Sequence, residues 1–185
     1  MKSEIRNSNK RKRSLMDKAE VLEKSYAAAE EFLSSDIYKN AKQLMLYMPL
    51  GNETDTTHII NAAFRDGKKL VFPVTDAKSG EITPCYCTEA SEFVKGAFSV
   101  KEPCVRDVAD VSKIGVILVP GIGFDKKGAR VGFGKGCYDR LLKNTSATKI
   151  GFCYDFQICE EIAAEEHDVK MDFLVTESGI IKCEK

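Results

Sequence analysis

The chain has 185 residues, 43% hydrophobic and 30% charged, a balance that fits one well-buried globular core and excludes a disordered protein. Its 28 basic and 28 acidic residues cancel at neutral pH, so the bulk surface carries no nucleic-acid signal. No run reaches the roughly 20 apolar residues of a membrane helix.

In chain order, residues 1–13 come first, with Lys2, Arg6, Lys10, Arg11, Lys12 and Arg13 set against Glu4 alone. Lys2, Arg6 and Lys10 recur at four-residue steps and align as a cationic row on a helix. Such a row serves as a solvated face, as a nucleic-acid tail, or as a clamp over a phosphate chain. The charged start lacks the apolar stretch of an export signal. The seven cysteines (Cys85, Cys87, Cys104, Cys137, Cys153, Cys159 and Cys183) form an odd set without a pairing framework. A cytoplasmic protein with reduced thiols is therefore expected.

A helix follows over Asp17–Leu33, with Val21, Leu22, Ala28, Ala29, Phe32 and Leu33 on its apolar side. Gln43–Met48 reads as a buried strand closed by Pro49. Asp55 and Thr56 cap a helix to about Phe64, which ends near Gly67. Lys69–Val74 and Ile82–Cys87 are strands, the second preceded by a turn at Lys78–Gly80. Cys85 and Cys87 share one strand face, a better account than zinc, for which His58 and His167 supply too few partners. Residues 91–110 have no clear period and read as an irregular excursion. Gly115–Pro120 is the expected central strand, and Lys149–Tyr154 and Asp172–Thr176 are the last strands, with a short helix at Ile158–Ala164 between them. The alternation predicts an α/β fold: a single-domain layered sandwich over 1–185, its mostly parallel central sheet flanked by helices.

The central strand feeds the most informative segment, Val119 to Arg140. Gly132, Gly134 and Gly136 match neither common nucleotide-loop spacing, and glycines so placed also make plain structural turns. Arg130, Lys135 and Asp139 crowd the same short stretch. Backbone amides of a glycine turn and the helix start behind it favour phosphate oxygens. Lysine supplies a point charge, arginine a fork, and Asp139 a ligand for Mg²⁺. Ligands of open α/β sheets gather at this carboxyl edge.

Four separated pieces resemble the 5-formyltetrahydrofolate cyclo-ligase family in order: Lys2-Ser3-Glu4-Ile5-Arg6, Tyr47-Met48-Pro49 through Glu53-Thr54-Asp55-Thr56, Val119 to Arg140, and Met171-Asp172-Phe173-Leu174. The resemblance covers essentially the whole chain, the third piece being the most specific. It implies ATP contacts from Lys2, Ser3, Glu4, Ile5 and Arg6, making residues 1–13 an ATP clamp. It implies further ATP contacts from Arg130, Val131, Gly132, Phe133, Gly134, Lys135, Gly136, Cys137 and Tyr138. Met48, Glu53 and the stretch Phe133–Cys137 are implied to border the folate, and Asp139 and Asp172 to hold Mg²⁺. Lys135, Arg130 and Tyr138 are the implied catalytic residues. Two departures stand out: Phe133 where many members carry arginine or tyrosine, and Cys137 where a second tyrosine is usual.

The implied activity is ATP- and Mg²⁺-dependent closure of 5-formyltetrahydrofolate to 5,10-methenyltetrahydrofolate, through phosphorylation of the formyl oxygen and attack by N10. The implied partners are reduced folate and ATP; no nucleic acid, no membrane and a monomeric state are expected. Phe133 and Cys137 leave open a related enzyme acting on another formamide. The basic start leaves open a non-catalytic ligand- or nucleic-acid-binding module.

Overall fold

The computed structural model describes residues 2–165 and 167–184. Among them the α-helices are α1 (Lys2–Leu15), α2 (Lys18–Ser34), α3 (Asp36–Asn40), α4 (Thr57–Arg65) and α5 (Cys137–Leu142). Asp17 separates the first two, and its carboxylate accepts the Glu20 amide at 2.8 Å, satisfying a donor that the first turn of α2 leaves free. Capping at α4 is indirect. Asp55 accepts the Thr57 amide at 2.7 Å, while the Thr56 hydroxyl donates to the Tyr47 carbonyl at 2.7 Å and ties the helix start to the end of the first strand.

The main sheet has eight strands in the spatial order Gly179–Lys182, Phe173–Thr176, Thr148–Phe152, Val116–Val119, Gln43–Met45, Lys69–Thr75, Ile82–Cys87, Asp107–Val108. The five strands from Phe173–Thr176 to Lys69–Thr75 run parallel, and antiparallel pairings occur only toward the margins. Val116–Val119 shows why the inner strands read as unbroken apolar runs. Val116 and Leu118 enter one core with Ala28, Phe32 and Ile59 of α2 and α4. Ile117 and Val119 enter the other, with Phe124, Leu141 and Leu142. Side chains alternate between faces, so a strand covered on both sides has no polar positions left. Each fully buried Leu, Ile or Phe contributes about 1.5–3 kcal/mol. The sandwich, with its mostly parallel sheet, is the fold the alternation predicts.

Three stretches differ from the expectations. Residues 91–110 are ordered as a hairpin, Phe93–Lys95 against Lys101–Pro103, followed by the sheet-edge strand Asp107–Val108. The expected helix at Ile158–Ala164 does not form. Ile158–Cys159 is a short strand paired parallel with Gly123–Asp125, which also pairs antiparallel with Arg130–Val131 in a small second sheet. The cause is a buried carboxylate: Asp125 accepts the amides of Lys127 (3.0 Å), Ala129 (2.9 Å) and Ile162 (2.8 Å), so the Ile162 amide bonds there instead of to a preceding helical turn. Gly179–Lys182, the far edge strand, is half exposed and too weakly patterned to stand out. All seven cysteines are free thiols, and Cys85 and Cys87 both lie buried on one strand. No helix of the described residues is long and apolar enough to cross a membrane.

Candidate active site

Val116–Val119 ends at Pro120, beyond which the chain turns into Gly123–Asp125 and returns through Arg130–Val131. The loop 132–136 then crosses the carboxyl edge and enters α5. Gly134 and Gly136 take positive φ values of 93° and 64°, where a side chain on either residue would be strained. Val131 is buried with Ala129 and Ile162, so the loop springs from a fixed base. Its far end is tied by Arg140, which donates to the carbonyls of Lys135 (3.1 Å), Ser79 (3.1 Å) and Gly80 (2.9 Å). Gly136 precedes α5, which has only six residues, so the cations and loop amides dominate over any long-helix dipole.

Arg130 is the electrostatic centre. Its Nη2 donates to Asp139 Oδ2 at 2.9 Å and Nη1 to the Pro120 carbonyl at 3.3 Å, and its guanidinium lies 5.8 Å from the Tyr138 ring. Its Nε is buried with no hydrogen-bond partner among the described residues. A buried donor left unmade costs about 1–3 kcal/mol, which an acceptor brought to it would recover. Asp139 also accepts the Val169 amide at 3.3 Å.

Helix α1 lies across this assembly. Gly123 permits the approach, since a Cβ there would stand 2.7 Å from Ile5 Cγ2 and 3.3 Å from Asn9 Nδ2. Ile5 packs against Ala129, Val131 and Ile162, while Ser3 and Glu4 are exposed. Arg6 Nε donates to the Gly132 carbonyl at 2.9 Å, and Lys10 lies over the Phe133 ring at 5.1 Å. Lys2 donates to Asp168 at 2.7 Å and Glu165 at 2.9 Å. Burial disfavours its charge, but these two carboxylates outweigh that, and its pKa is raised. Lys2 and Arg6 are thus half-buried against the site, while Lys10 stays exposed beside Phe133.

Lys135 extends from the loop onto Phe98, its Nζ 3.6 Å from the ring centroid, close enough for a cation–π contact. Phe98 and Ser99 both have positive φ, 55° and 65°, a strained pair at the tip of the 93–103 hairpin. No sequence signal marked Phe98, because its neighbours in space are distant in the chain. Phe133 is 51% exposed, an open aromatic face beside the loop, and Cys137 is half-buried near Arg140 and Gly80.

Glu53 occupies an adjoining enclosed position, 6% exposed. Its Oε2 accepts the Leu50 amide at 2.9 Å, and Arg13 Nη2 stands 3.8 Å from Oε1. Burial pushes the carboxyl's pKa up, opposed by the Leu50 amide and Arg13. Burial, and next the Glu53 charge, raise the phenols of Tyr47 and Tyr138. Met48, at the start of the same loop, is partly buried against the α2-side core.

The two aspartates expected to hold a metal are placed differently. Asp139 belongs to the loop assembly. Asp172 accepts the Lys149 amide at 2.9 Å, with Lys149 Nζ 4.0 Å away, just before the first residue of its strand. Asp168 instead adjoins Val169, the residue that donates to Asp139, and meets Lys2. No group of three or more His, Cys, Asp or Glu among the described residues forms a metal cage. Asp139 and Asp172 each offer carboxylate oxygens, the ligand type that Mg²⁺ takes.

Fold and site thus describe an α/β protein with a cationic, glycine-rich loop at the carboxyl edge of its parallel strands, crossed by a basic N-terminal helix. The family model for the 5-formyltetrahydrofolate cyclo-ligase family matches residues 1–177. The 5-formyltetrahydrofolate cyclo-ligase of Escherichia coli (strain K12) is 32% identical over 146 residues, covering 76% of this chain and 80% of the relative. That of Mus musculus is 28% identical over 173 residues, covering 86% and 85%. The solution structure of Aquifex aeolicus 5,10-methenyltetrahydrofolate synthetase superposes with a TM-score of 0.85 at 31% identity, spanning 100% of this chain and 93% of that one. The chain belongs to the 5-formyltetrahydrofolate cyclo-ligase family.

Proposed function

We propose that this protein converts 5-formyltetrahydrofolate and ATP into 5,10-methenyltetrahydrofolate, ADP and phosphate, with Mg²⁺ bound alongside the nucleotide. The observation that carries this reading is Arg130: a guanidinium whose buried Nε has no hydrogen-bond partner among the described residues, paired to Asp139 at the head of a glycine loop that Lys135 and α1 surround. An arriving phosphate supplies the missing acceptor and competes with Asp139 for the fork. Lys2 is available for a matching exchange: it faces the carboxylates of Asp168 and Glu165, which an arriving phosphate would replace.

The chemistry needs activation because N5 of the formamide donates into its carbonyl. Transfer of the γ-phosphoryl group to the formyl oxygen turns that oxygen into a leaving group. N10 then attacks the formyl carbon and loses its proton, and the C–O bond breaks to release phosphate. Protein side chains contribute positioning and charge stabilisation. Arg130, Lys135, Arg6 and Lys2 bind phosphate oxygens, and the loop amides of Gly132–Gly136 line the same chain. Glu53 orients the pterin, Met48 and Phe133 provide apolar surface beside it, and Tyr138 closes the wall between the two halves. Mg²⁺, when bound, neutralises charge on the phosphates; Asp139 and Asp172 would hold it, each first releasing the cation it faces here, Arg130 or Lys149. Cys137 leaves more room than a tyrosine in that position.

The test is near-ultraviolet absorbance of purified protein with 5-formyltetrahydrofolate, Mg²⁺ and ATP, each omitted in turn. The conjugated methenyl product is expected only in the complete mixture. Product formed without ATP, or none at all from protein that binds ATP, overturns the proposal. Lys135→Ala is expected to lower turnover with the fold intact; unchanged turnover at saturating ATP removes that residue from the mechanism.

A further inference from the structure

Helix α1 presents a stripe rather than the every-fourth-residue row. Lys2, Arg6, Asn9 and Arg13 lie within about 60° of one another at 100° per residue, and each meets a different part of the site. Lys2 meets Asp168 and Glu165, and Arg6 the Gly132 carbonyl. Asn9, buried, donates to the Ile122 carbonyl at 3.0 Å. Arg13, about 16 Å along the helix from Lys2, reaches Glu53 Oε1 and, at 3.5 Å, the Gly121 carbonyl. Its side chain is 11% exposed and that of Glu53 7%. A second bond joins the same places: Asn52 Nδ2 donates to the carbonyls of Arg13 (2.8 Å) and Met16 (2.9 Å) at the end of α1. The residue next to Glu53 is thereby seated on the helix, and Glu53 faces its last cation. An α-helix of 14 residues transmits a displacement at one end to the other with little bending.

Resting on the cyclo-ligase reading, we infer that α1 couples the two substrate half-sites, with Arg13 as the positioning residue that holds the Glu53 carboxylate for the folate while Lys2 and Arg6 engage the nucleotide. Nucleotide binding fixes α1 against the loop, and through Arg13 and Asn52 it fixes Glu53. Ordering that α1 has already undergone need not be supplied again by the second ligand, so each substrate tightens the other.

The experiment is calorimetric titration of the full-length protein with 5-formyltetrahydrofolate, with and without a non-hydrolysable ATP analogue. The unsubstituted protein is expected to bind the folate several-fold more tightly with the analogue present. Arg13→Gln is expected to weaken folate binding about tenfold and abolish the gain, while the analogue's affinity in the absence of folate stays unchanged; Arg13→Lys restores part of both. A purely structural role would lower the melting temperature and weaken both ligands together, and that result overturns the proposal. So does Arg13→Gln with unaltered folate affinity and gain, or an unsubstituted protein that shows no gain. Failure of the unsubstituted protein to bind 5-formyltetrahydrofolate at all overturns the cyclo-ligase reading itself, and the coupling with it.

Discussion

Arg130 and Asp139 face each other at 2.9 Å, their side chains 8% and 16% exposed, nine residues apart in the chain and held there by the return of Arg130–Val131 beneath the loop. The pair stores the cation in an ordered position and leaves its Nε unmatched. A lysine at 130 keeps the charge but loses the fork and the Nε donor. Arg130→Lys is expected to lower kcat about a hundredfold, the scale of losing one preorganised donor, with a melting temperature within a few degrees of the parent. Steady-state absorbance kinetics and a thermal melt check this, and kcat within threefold of the parent refutes it.

Asp168 and Asp172 make contrasting predictions. Asp172→Asn is expected to raise the Mg²⁺ concentration needed for tight binding of an ATP analogue, measured by titration without folate. Asp168→Asn is expected to leave that requirement unchanged, because its carboxylate pairs with Lys2 at 2.7 Å. A shift in Mg²⁺ requirement at Asp168 and none at Asp172 reverses the metal assignment.

Glu53 gives a pH-dependent trade. Its folded pKa is raised by burial above the unfolded value of about 4.5, so the native state holds the proton more tightly than the unfolded chain. Stability therefore falls as pH rises from the unfolded value through the folded one, and stays lower above it. Glu53→Gln removes that loss. The variant is expected to melt at a higher temperature than the parent at pH 7, with the difference vanishing below about pH 4, while folate binding weakens. Melting curves at several pH values decide it; a variant less stable at pH 7 contradicts the sign.

Gly123 marks where α1 needs room. A valine there meets Ile5 and Asn9, so Gly123→Val is expected to cost about 1–3 kcal/mol by overpacking and to weaken ATP-analogue binding by displacing the helix. Denaturant melts and calorimetry measure the two effects. Retained affinity in the destabilised variant separates the helix from nucleotide binding.

Much of this was legible in the linear chain because it is local. Strand and helix periods emerge from short windows, which is why Val116–Val119, Lys69–Thr75, Ile82–Cys87 and α2 fall where their apolar patterns predict. The glycine loop with Arg130, Lys135 and Asp139 was legible for the same reason, its residues being neighbours in sequence. A four-residue cationic step could be read at the N-terminus, but not which face of the helix would turn inward. That depended on Gly123, more than a hundred residues away, leaving space for Ile5 and Asn9.

What only the tertiary structure decided are contacts between distant segments. The helical reading of Ile158–Ala164 failed because Asp125 captures the Ile162 amide, a long-range bond that local propensity does not contain. Phe98 under Lys135, Lys2 between Asp168 and Glu165, and Arg13 against Glu53 join residues 37, 163, 166 and 40 positions apart. The sequence by itself determined the inner strands, the longer helices and the inventory of charge at the loop. Packing determined which charges meet, because a side chain's partner is set by the path of the whole backbone and by which buried donors and acceptors must be satisfied.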